Sequence, residues 1–275
     1  MSNSAMIQRV SSLELAELAP YRTLKRPIAH MQQGIFVAEG EKVVRRLLKS
    51  GLEVISLLLT PDWLARLAST GHLEGREDVT VFLAEGELLG RIVGFNIHQG
   101  IMAVAKVPAE GSPEALPPVH LLVALDGLRI SENVGVIVRN SAAFGVQAIL
   151  VGETSCSPYL RRAVRSSMGA VFQLPVMHLP CLADALGRLK LRCGTEIVTA
   201  DPHGASTIYD ARLAGSVCIV LGNEDNGVSP EVAGLATVRA AIPMHNRTDS
   251  LNVASASAVF LYEAARQRAL GGSRA

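Results

Sequence analysis

The sequence contains few cysteines, and their spacing does not suit a cross-linked or metal-stabilised fold. Four cysteines occur among 275 residues, without a CxxC pair and without a histidine at ligand spacing. Structural zinc sites need closely spaced ligands, and disulfide frameworks need many cysteines in a short secreted chain. The sequence therefore predicts neither a metal site nor a disulfide framework. We expect reduced and partly buried thiols at Cys156, Cys181, Cys193 and Cys218.

Long apolar runs and excess charge are absent as well. No segment approaches the roughly 20 uninterrupted apolar residues that span a bilayer, and no basic stretch followed by an apolar run opens the chain. We therefore expect a soluble, cytoplasmic protein. The formal net charge is only +1. A protein that coats nucleic acid through charge alone needs a strongly basic surface, so any such contact must be local here.

Two glycine-rich phosphate-binding patterns are also missing. No GxGxxG follows the first strand of the second half of the chain, and GxxxxGK[ST] occurs nowhere. An ordinary dinucleotide-binding fold or a P-loop enzyme would therefore lack its phosphate cradle. This weighs against a nucleotide-dependent oxidoreductase, and a different arrangement for binding a ligand is required. The chain also has no internal repeat and no low-complexity tract.

The composition is that of a folded protein with two domains. Hydrophobic residues make up 49% of the chain and charged residues 19%, which is enough to bury a substantial core. The segment PAEGSPEALPP at 108–118 is rich in Pro, Gly and Glu and has no apolar periodicity. We interpret it as an interdomain linker between a domain at 1–107 and a domain at 119–275.

The first domain is predicted to be a small α/β domain. Strand-like and helix-like stretches alternate along it, namely FVAEG, EKVVRRLLKSG, VISLLL, DWLARLAST, VTVFLA and IMAVAKV. The first 30 residues carry Arg22, Lys25 and Arg26 close together. Two alternatives are open for this segment, which is either a helix packed against the domain or a mobile basic arm.

The second domain is predicted to be an open α/β fold. Its apolar runs HLLVAL, AILVG, EIVTA, VCIVLG and VRAAIPM are short and almost unbroken, as in parallel strands that are buried on both faces. Helical stretches separate them. SENVGVIVRNSAAFG is predicted to start at a capping Ser131 and to end at Gly145, and LNVASASAVFLYEAARQRAL is predicted to form a long C-terminal helix.

Three polar, glycine-containing clusters follow apolar strands of this domain, at 125–140, 220–232 and 242–264. Open α/β sheets bind their ligands beyond the carboxyl ends of the strands, so these clusters are candidate site loops. Any one of them alone is explained as well by a strand, a turn and a helix cap.

Together, the three clusters resemble the signature motifs of the SpoU, or TrmH-type, branch of the SPOUT methyltransferases. The stretch SSMGAVFQLPV at 166–176 is also similar to the family, so that the resemblance covers nearly all of 119–268. The matching residues are Asn133, Gly135 and Arg139 in the first cluster, Leu221, Gly222, Glu224, Gly227 and Ser229 in the second, and Ile242, Pro243, Met244, Ser250, Leu251 and Asn252 in the third.

The match has two departures and one looser region. RISEN stands where many relatives have a TDPxN turn, and Asn140 stands where Thr is common. Both positions flank the motif side chains without replacing them. The first domain, through GIFVAEGEKVVRRLL and HQG at 98–100, is similar to the ribosomal-protein-like substrate domain that many members carry.

The resemblance implies a SPOUT-type parallel sheet whose C-terminal segment forms a deep trefoil knot, preceded by a small α/β substrate-binding domain. It also implies that S-adenosylmethionine binds, bent, in the knot loops, largely through main-chain groups. The residues that match the cofactor-binding positions are Thr199, Leu221, Gly222, Ile242, Met244 and Leu251.

The reaction implied is methyl transfer to a ribose 2′-hydroxyl of RNA, with the catalytic residues Arg139, Asn133, Glu224, Ser250 and Asn252. An arginine stays protonated in proteins, so for Arg139 binding the neighbouring phosphate is an easier role than acting as a base. Glu224 would orient Arg139, if necessary across a dimer interface, and Asn133 would fix the loop or the ribose. Ser250 and Asn252 would contact the hydroxyl or the cofactor, although a serine before a helix is usually a cap.

The resemblance further implies a homodimer in which the last helix and the first-motif helix pack against their symmetry mates, helped by small residues at 253–258. Ribosomal RNA, in particular 23S RNA, is favoured because of the preceding substrate domain. Transfer RNA and a non-catalytic RNA-binding or ribosome-assembly role remain the alternatives. Basic residues that could grip RNA, or that simply line solvated helix faces, are Arg22, Lys25, Arg26, Arg45, Arg161 and Arg165.

Overall fold

The structure is a computed structural model that describes residues 5–10, 12, 14–24, 26–93, 100–112, 116–246 and 248–272. Lys25 and His98 lie outside these ranges. The chain divides into two compact units. Unit 1 comprises Met1–Ala109 and Tyr159–Phe172, and unit 2 comprises Glu110–Pro158 and Gln173–Ala275.

Strands and helices alternate along most of the described chain, as the sequence predicts. The strands are β1 (Met6–Arg9), β2 (Ile35–Glu39), β3 (Val54–Leu59), β4 (Thr80–Leu83), β5 (Ile101–Lys106), β6 (Leu121–Asp126), β7 (Ala148–Val151), β8 (Val176–His178), β9 (Glu196–Ala200), β10 (Ser206–Thr207), β11 (Val217–Gly222) and β12 (Val238–Ala241). The helices are α1 (Ala19–Arg22), α2 (Pro27–Gln32), α3 (Glu41–Leu48), α4 (Pro61–Ser69), α5 (Gly86–Val93), α6 (Ser131–Ala143), α7 (Arg161–Ser166), α8 (Leu182–Cys193), α9 (Pro230–Ala233) and α10 (Val253–Gly272).

Unit 1 is built on a mixed sheet with the strand order β1-β4-β3-β5-β2. Strands β1, β4 and β3 run parallel, whereas β5 is antiparallel to both of its neighbours. The N-terminal segment packs onto this sheet. Leu18 and Tyr21 are fully buried, and the Tyr21 hydroxyl shares a 2.9 Å hydrogen bond with the hydroxyl of Ser56 in β3. Of the two alternatives for the first 30 residues, the packed helix is therefore correct for this stretch.

One segment that the sequence assigned to the second domain belongs to unit 1. It contains α7, and its two aromatic rings pack on Phe36 of β2. The ring centroids of Tyr159 and Phe172 lie 5.3 and 5.6 Å from that of Phe36. The assignment of 119–275 to one domain therefore differs from unit 2 at 159–172.

Unit 2 contains a sheet with the order β10-β12-β9-β11-β6-β7-β8, in which every neighbouring pair is parallel. The predicted α/β fold with a parallel sheet is thus confirmed. Strands β6 and β11 lie at its centre and are buried at every position, which explains why their sequences are almost entirely apolar. Helix α6 packs against α10, where the Asn140 amide donates to the Ala254 carbonyl and to Ser257 Oγ over 3.0 and 2.9 Å.

Of the two predicted ends of α6, the C-terminal one is correct and the N-terminal cap is wrong. Gly145, with φ of 74°, follows the last turn and ends the helix as expected. Ser131 is not the cap, because it is the first helical residue and its hydroxyl donates to Glu132 over 2.9 Å. Within the described part of the chain, no helix combines the length and apolarity that crossing a membrane requires.

Candidate active site

A cleft of about 680 Å³ opens in unit 2 at the carboxyl ends of β12, β9, β11 and β6, which are adjacent strands. Its wall is made by the loops that follow these strands and by the first turns of α10. The volume is typical of a site for a small molecule. The loops of the second and third sequence clusters therefore share one cleft, as their position after parallel strands predicts.

The loop after β11 folds back over the end of its own strand. Asn223 and Gly227 exchange backbone hydrogen bonds of 2.8 and 2.9 Å. A Cβ added to Gly222 would lie 2.3 Å from the backbone of Gly227 and Val228, so no other residue fits at this position without moving the loop. Glycine at 222 thus permits the close approach that forms one side of the cleft.

Two side-chain bonds attach this loop to the first cluster. The buried carboxylate of Asp126, the last residue of β6, accepts the Ser229 amide over 2.7 Å. The Asn223 side-chain amide donates to the Gly127 carbonyl over 2.6 Å. The turn after β6 and the loop after β11 are therefore held in a fixed relation at the edge of the sheet.

Residues from all three clusters meet in a hydrogen-bonded chain at the cleft. The Asn133 amide donates to Glu224 Oε1 over 2.9 Å, and the Asn252 amide donates to Asn133 Oδ1 over 3.1 Å. The side-chain oxygen of Asn252 accepts a hydrogen bond from the Ala254 backbone amide over 2.9 Å and so caps α10. Asn252, rather than Ser250, is thus the capping residue of the last helix.

The other two predicted catalytic residues are placed differently. Ser250 lines the cleft, and its hydroxyl makes no hydrogen bond with the residues that the structure describes. Arg139 is exposed on α6 and is not part of the cleft wall. The cause is helix geometry, because six positions separate Arg139 from Asn133 and turn it about 240° around the axis. Within the described residues of a single chain, Glu224 pairs with Asn133 and not with Arg139.

The predicted cofactor positions cluster in the same cleft. Thr199, Gly222, Ile242, Met244 and Leu251 all line it, whereas Leu221 is fully buried inside β11. Thr199 is 1% exposed, and its hydroxyl has no hydrogen-bond partner among the described residues. Buried hydroxyls are nearly always paired, so an unpaired one at a cleft wall marks a place where a ligand atom can bind.

Asp201, His203 and Arg239 are among the charged or polar residues of the cleft that the sequence did not predict. Asp201 Oδ2 accepts Arg239 Nε over 2.9 Å and Nη2 over 2.6 Å, and Asp201 Oδ1 accepts the His203 amide over 2.9 Å. Burial acts to raise the pKa of Asp201, but these hydrogen bonds outweigh it and lower the pKa below its ordinary value. The stretch DPHG directly follows an apolar strand, and this position was the signal that could have revealed Asp201.

The predicted RNA-contacting arginines all lie in unit 1 and differ in their availability. Arg161 is 19% exposed in its side chain and forms an ion pair with Glu39 of β2. Arg165 is 60% exposed and lies 3.3 Å from the same carboxylate. Arg45 bonds to Glu41 over 3.1 Å on its own helix. Arg22 is half-buried and Arg26 is exposed, whereas Lys25 lies outside the described residues.

A parallel sheet with a polar, glycine-walled cleft at its carboxyl edge defines unit 2 as the ligand-binding domain of an open α/β enzyme. A comparison with protein-family models narrows this class. The SpoU rRNA methylase family model matches residues 120–262, which is more than half of the chain. The chain belongs to the SpoU rRNA methylase family, and it is accordingly a methyltransferase. The resemblance inferred from three short motifs is confirmed.

Individual relatives agree with this assignment. An uncharacterised tRNA/rRNA methyltransferase of Mycobacterium tuberculosis is 32% identical over 88% of this chain and 84% of the relative. A 23S rRNA (uridine(2479)-2′-O)-methyltransferase of Streptomyces viridochromogenes is 32% identical over 62% of this chain and 61% of that protein. The crystal structure of an AdoMet-bound rRNA methyltransferase of Sinorhizobium meliloti has a TM-score of 0.81 at 25% identity, covering 94% of this chain and 98% of that chain.

Proposed function

We propose that this protein is an S-adenosylmethionine-dependent methyltransferase that modifies a ribose 2′-hydroxyl of RNA, with 23S ribosomal RNA as its substrate. The observation that carries the proposal is the hydrogen-bonded chain Glu224–Asn133–Asn252, which joins all three family motifs at one cleft. The 23S rRNA 2′-O-methyltransferase named among the relatives supports both the ribose and the ribosomal substrate.

The cleft fits an adenosyl ligand. Thr199 offers a buried hydroxyl without a partner among the described residues, and Gly222 and Leu251 line the same cleft. The carboxylates of Glu224, Asp225 and Asp249 line the same space, which suits a ligand that carries a sulfonium cation. When bound, S-adenosylmethionine supplies an electrophilic methyl group, and one relative of known structure was crystallised with it.

The residues of this chain would act mainly by positioning. Asn133 uses both ends of its amide, one for Glu224 and one for Asn252, so the side chain cannot turn without losing a bond. This fixes the start of α6 relative to the loops that hold the cofactor, and precise placement of two reactants is a large part of catalysis. The free Ser250 hydroxyl at the cleft can bond to the target ribose.

Arg139 acts in this proposal by binding the phosphate beside the target ribose. Its side chain is exposed, and an arginine guanidinium suits a phosphate contact better than proton abstraction. Since it points away from the cleft of its own chain, a homodimer would let it serve the cleft of a second copy. Exposed apolar side chains on α6 and α10, those of Val136, Val259 and Tyr262, support this pairing.

The test is methylation of unmodified RNA by the purified protein with labelled S-adenosylmethionine, followed by mapping of ribose methylation. We expect 2′-O-methylated nucleotides in ribosomal RNA and none in transfer RNA. Label on transfer RNA alone would contradict the substrate, and label on a base would contradict the acceptor atom. Binding of ribosomal RNA without any label above background would favour a non-catalytic RNA-binding role. The deep trefoil knot implied by the family stays a prediction.

A further inference from the structure

We propose that Asp201 is a cofactor-binding residue whose carboxylate accepts a hydrogen bond from a ribose hydroxyl of the adenosyl group. This inference rests on the proposed function, because it needs an adenosyl ligand in the cleft of unit 2. Nothing in the three family motifs includes this residue, which lies in the loop after β9.

The carboxylate of Asp201 has one acceptor position left. Each carboxylate oxygen accepts about two hydrogen bonds. Oδ2 receives Nε and Nη2 of Arg239 over 2.9 and 2.6 Å, which uses its capacity. Oδ1 receives only the His203 amide, over 2.9 Å. The side chain lines the cleft and is 20% exposed, so Oδ1 is where a ligand donor can be accepted.

The charge of this carboxylate is already balanced, which identifies the kind of donor that it suits. Arg239 neutralises Asp201 through two hydrogen bonds, so the pair has no net charge and does not select a cation. The ammonium and sulfonium groups of the cofactor would instead favour Glu224 and Asp225, for which no arginine or lysine ion pair is found within the described residues. A neutral hydroxyl is therefore the better match for Asp201.

The wall that carries Asp201 is held rigidly against β12. The Asp201 amide donates to the Ala240 carbonyl over 3.0 Å, and the Gly204 amide donates to the Asp201 carbonyl over 3.0 Å. A Cβ on Gly204 would lie 2.4 Å from the Arg239 carbonyl oxygen, so the loop is packed directly on the strand. A preorganised acceptor loses little entropy when a ligand binds, which raises its contribution to affinity.

Thr199 supplies a second polar group on the same wall. It precedes Asp201 by two positions at the end of β9, and alternate residues of a strand face the same side. Its hydroxyl is buried and unpaired within the described chain. A ribose presents two adjacent hydroxyls, each able to donate and accept, and a carboxylate beside a hydroxyl matches that pair. Carboxylates serve the same purpose in other α/β sites that bind nucleosides.

The experiment compares three ligands by calorimetry, namely S-adenosylhomocysteine and its 2′-deoxy and 3′-deoxy analogues. With the wild-type protein, we expect at least one deoxy analogue to bind about tenfold or more weakly, the loss of a hydrogen bond to a charged group. In Asp201→Ala the parent compound should weaken by a similar factor, and the difference between parent and analogue should largely disappear. Arg239→Gln keeps the carboxylate, and should keep most of that difference.

The outcomes separate this inference from the function on which it rests. A wild-type protein that binds neither S-adenosylhomocysteine nor S-adenosylmethionine contradicts the proposed function itself. Binding of all three ligands with equal affinity leaves the cofactor in place but overturns the role of Asp201, and this comparison needs no variant. If Asp201→Ala and Arg239→Gln lose the same affinity and both keep the discrimination, Asp201 only supports the loop, and the inference is wrong.

Discussion

Asn252 donates a 3.1 Å hydrogen bond to Asn133, a residue that lies 119 positions earlier in the chain. The same side chain caps α10 through its oxygen. One residue thereby links the start of the last helix to the start of α6, and both helices border the cleft. The amide nitrogen and the amide oxygen of Asn252 bind different partners, so a substitution can remove one hydrogen bond and keep the other.

The first prediction uses that separation. Asn252→Asp keeps an oxygen that can cap α10 but removes the donor to Asn133 and places a negative charge near Glu224. We expect methyl transfer to fall more than tenfold with little loss of stability. Asn252→Ala loses the cap too, and should lower the free energy of unfolding by about 1 kcal/mol. Urea unfolding and single-turnover assays measure the two effects. Wild-type turnover in Asn252→Asp would show that the link to Asn133 is not needed.

The second prediction concerns the glycine at the end of β11. Gly222→Ala places a methyl group 2.3 Å from the backbone of Gly227 and Val228, where no rotamer change can relieve the overlap. We expect a loss of about 2–3 kcal/mol in the free energy of unfolding, together with weaker binding of S-adenosylhomocysteine. The matched control is Gly187→Ala, in α8, where an added Cβ meets nothing within 4 Å. That change should be neutral or stabilise by up to about 1 kcal/mol. Equal stability of the two variants would contradict the close approach.

The fold could be predicted from the sequence where a strand or helix has a recognisable local pattern of apolar residues. The runs VCIVLG and HLLVAL are almost entirely apolar because β11 and β6 are covered on both faces, and they mark the centre of the sheet. Val176–His178 and Ser206–Thr207 are strands of three and two residues, too short to show any period. The placement of 159–172 in unit 1 depends on partners such as Glu39, which is 122 positions before Arg161. A local sequence pattern cannot indicate a contact between residues that lie so far apart in the chain.

The residues of the candidate site could largely be predicted from the sequence, but the hydrogen bonds between them could not. Asn133, Glu224 and Asn252 were found by motif, and they do meet. The expected contact of Glu224 with Arg139 is absent from the described residues of one chain because the helix turns that guanidinium away. No sequence motif indicates Asp201, because its partner Arg239 belongs to β12, whose position in the sheet is not evident from the sequence.

The third prediction is that Arg139 is needed for methyl transfer and contributes little to the stability of the fold. The side chain is exposed and has no ion pair with the described residues, so Arg139→Ala should change the free energy of unfolding by less than about 0.5 kcal/mol. Turnover should fall by about 100-fold or more, while binding of S-adenosylhomocysteine stays unchanged. Arg188→Ala, on the exposed side of α8, is the control for loss of one positive charge. A residual rate within threefold of wild type would remove Arg139 from the mechanism.

The fourth prediction concerns association of two chains. Val259 and Tyr262 are 38% and 61% exposed on α10, and Val136 is 37% exposed on α6, the helix that packs against α10. If these side chains form the dimer interface, Val259→Arg should yield monomers in sedimentation at micromolar concentration and lose methyl transfer. Leu191→Arg, at an 88% exposed position on α8, provides a change of the same chemistry elsewhere and should leave the dimer intact. A wild-type protein that sediments as a monomer contradicts the dimer directly.

The fifth prediction follows from the lowered pKa of Asp201. Burial opposes ionisation of Asp201, but the hydrogen bonds from Arg239 and from the His203 amide favour it more and lower the pKa in the folded state. A carboxyl whose folded pKa is lowered stabilises the protein above its unfolded pKa, about 3.9, and loses that contribution as the pH falls through the folded value.

Arg239→Gln should therefore be less stable than wild type at pH 7, and the gap should shrink below about pH 4. Because Arg239 is 56% exposed, solvent screening keeps the gap below about 1 kcal/mol. Urea unfolding of both proteins between pH 7 and pH 3 measures it, and the carboxyl resonance of Asp201 gives the pKa itself. A gap that grows as the pH falls would mean that Arg239 stabilises the loop without ionised Asp201.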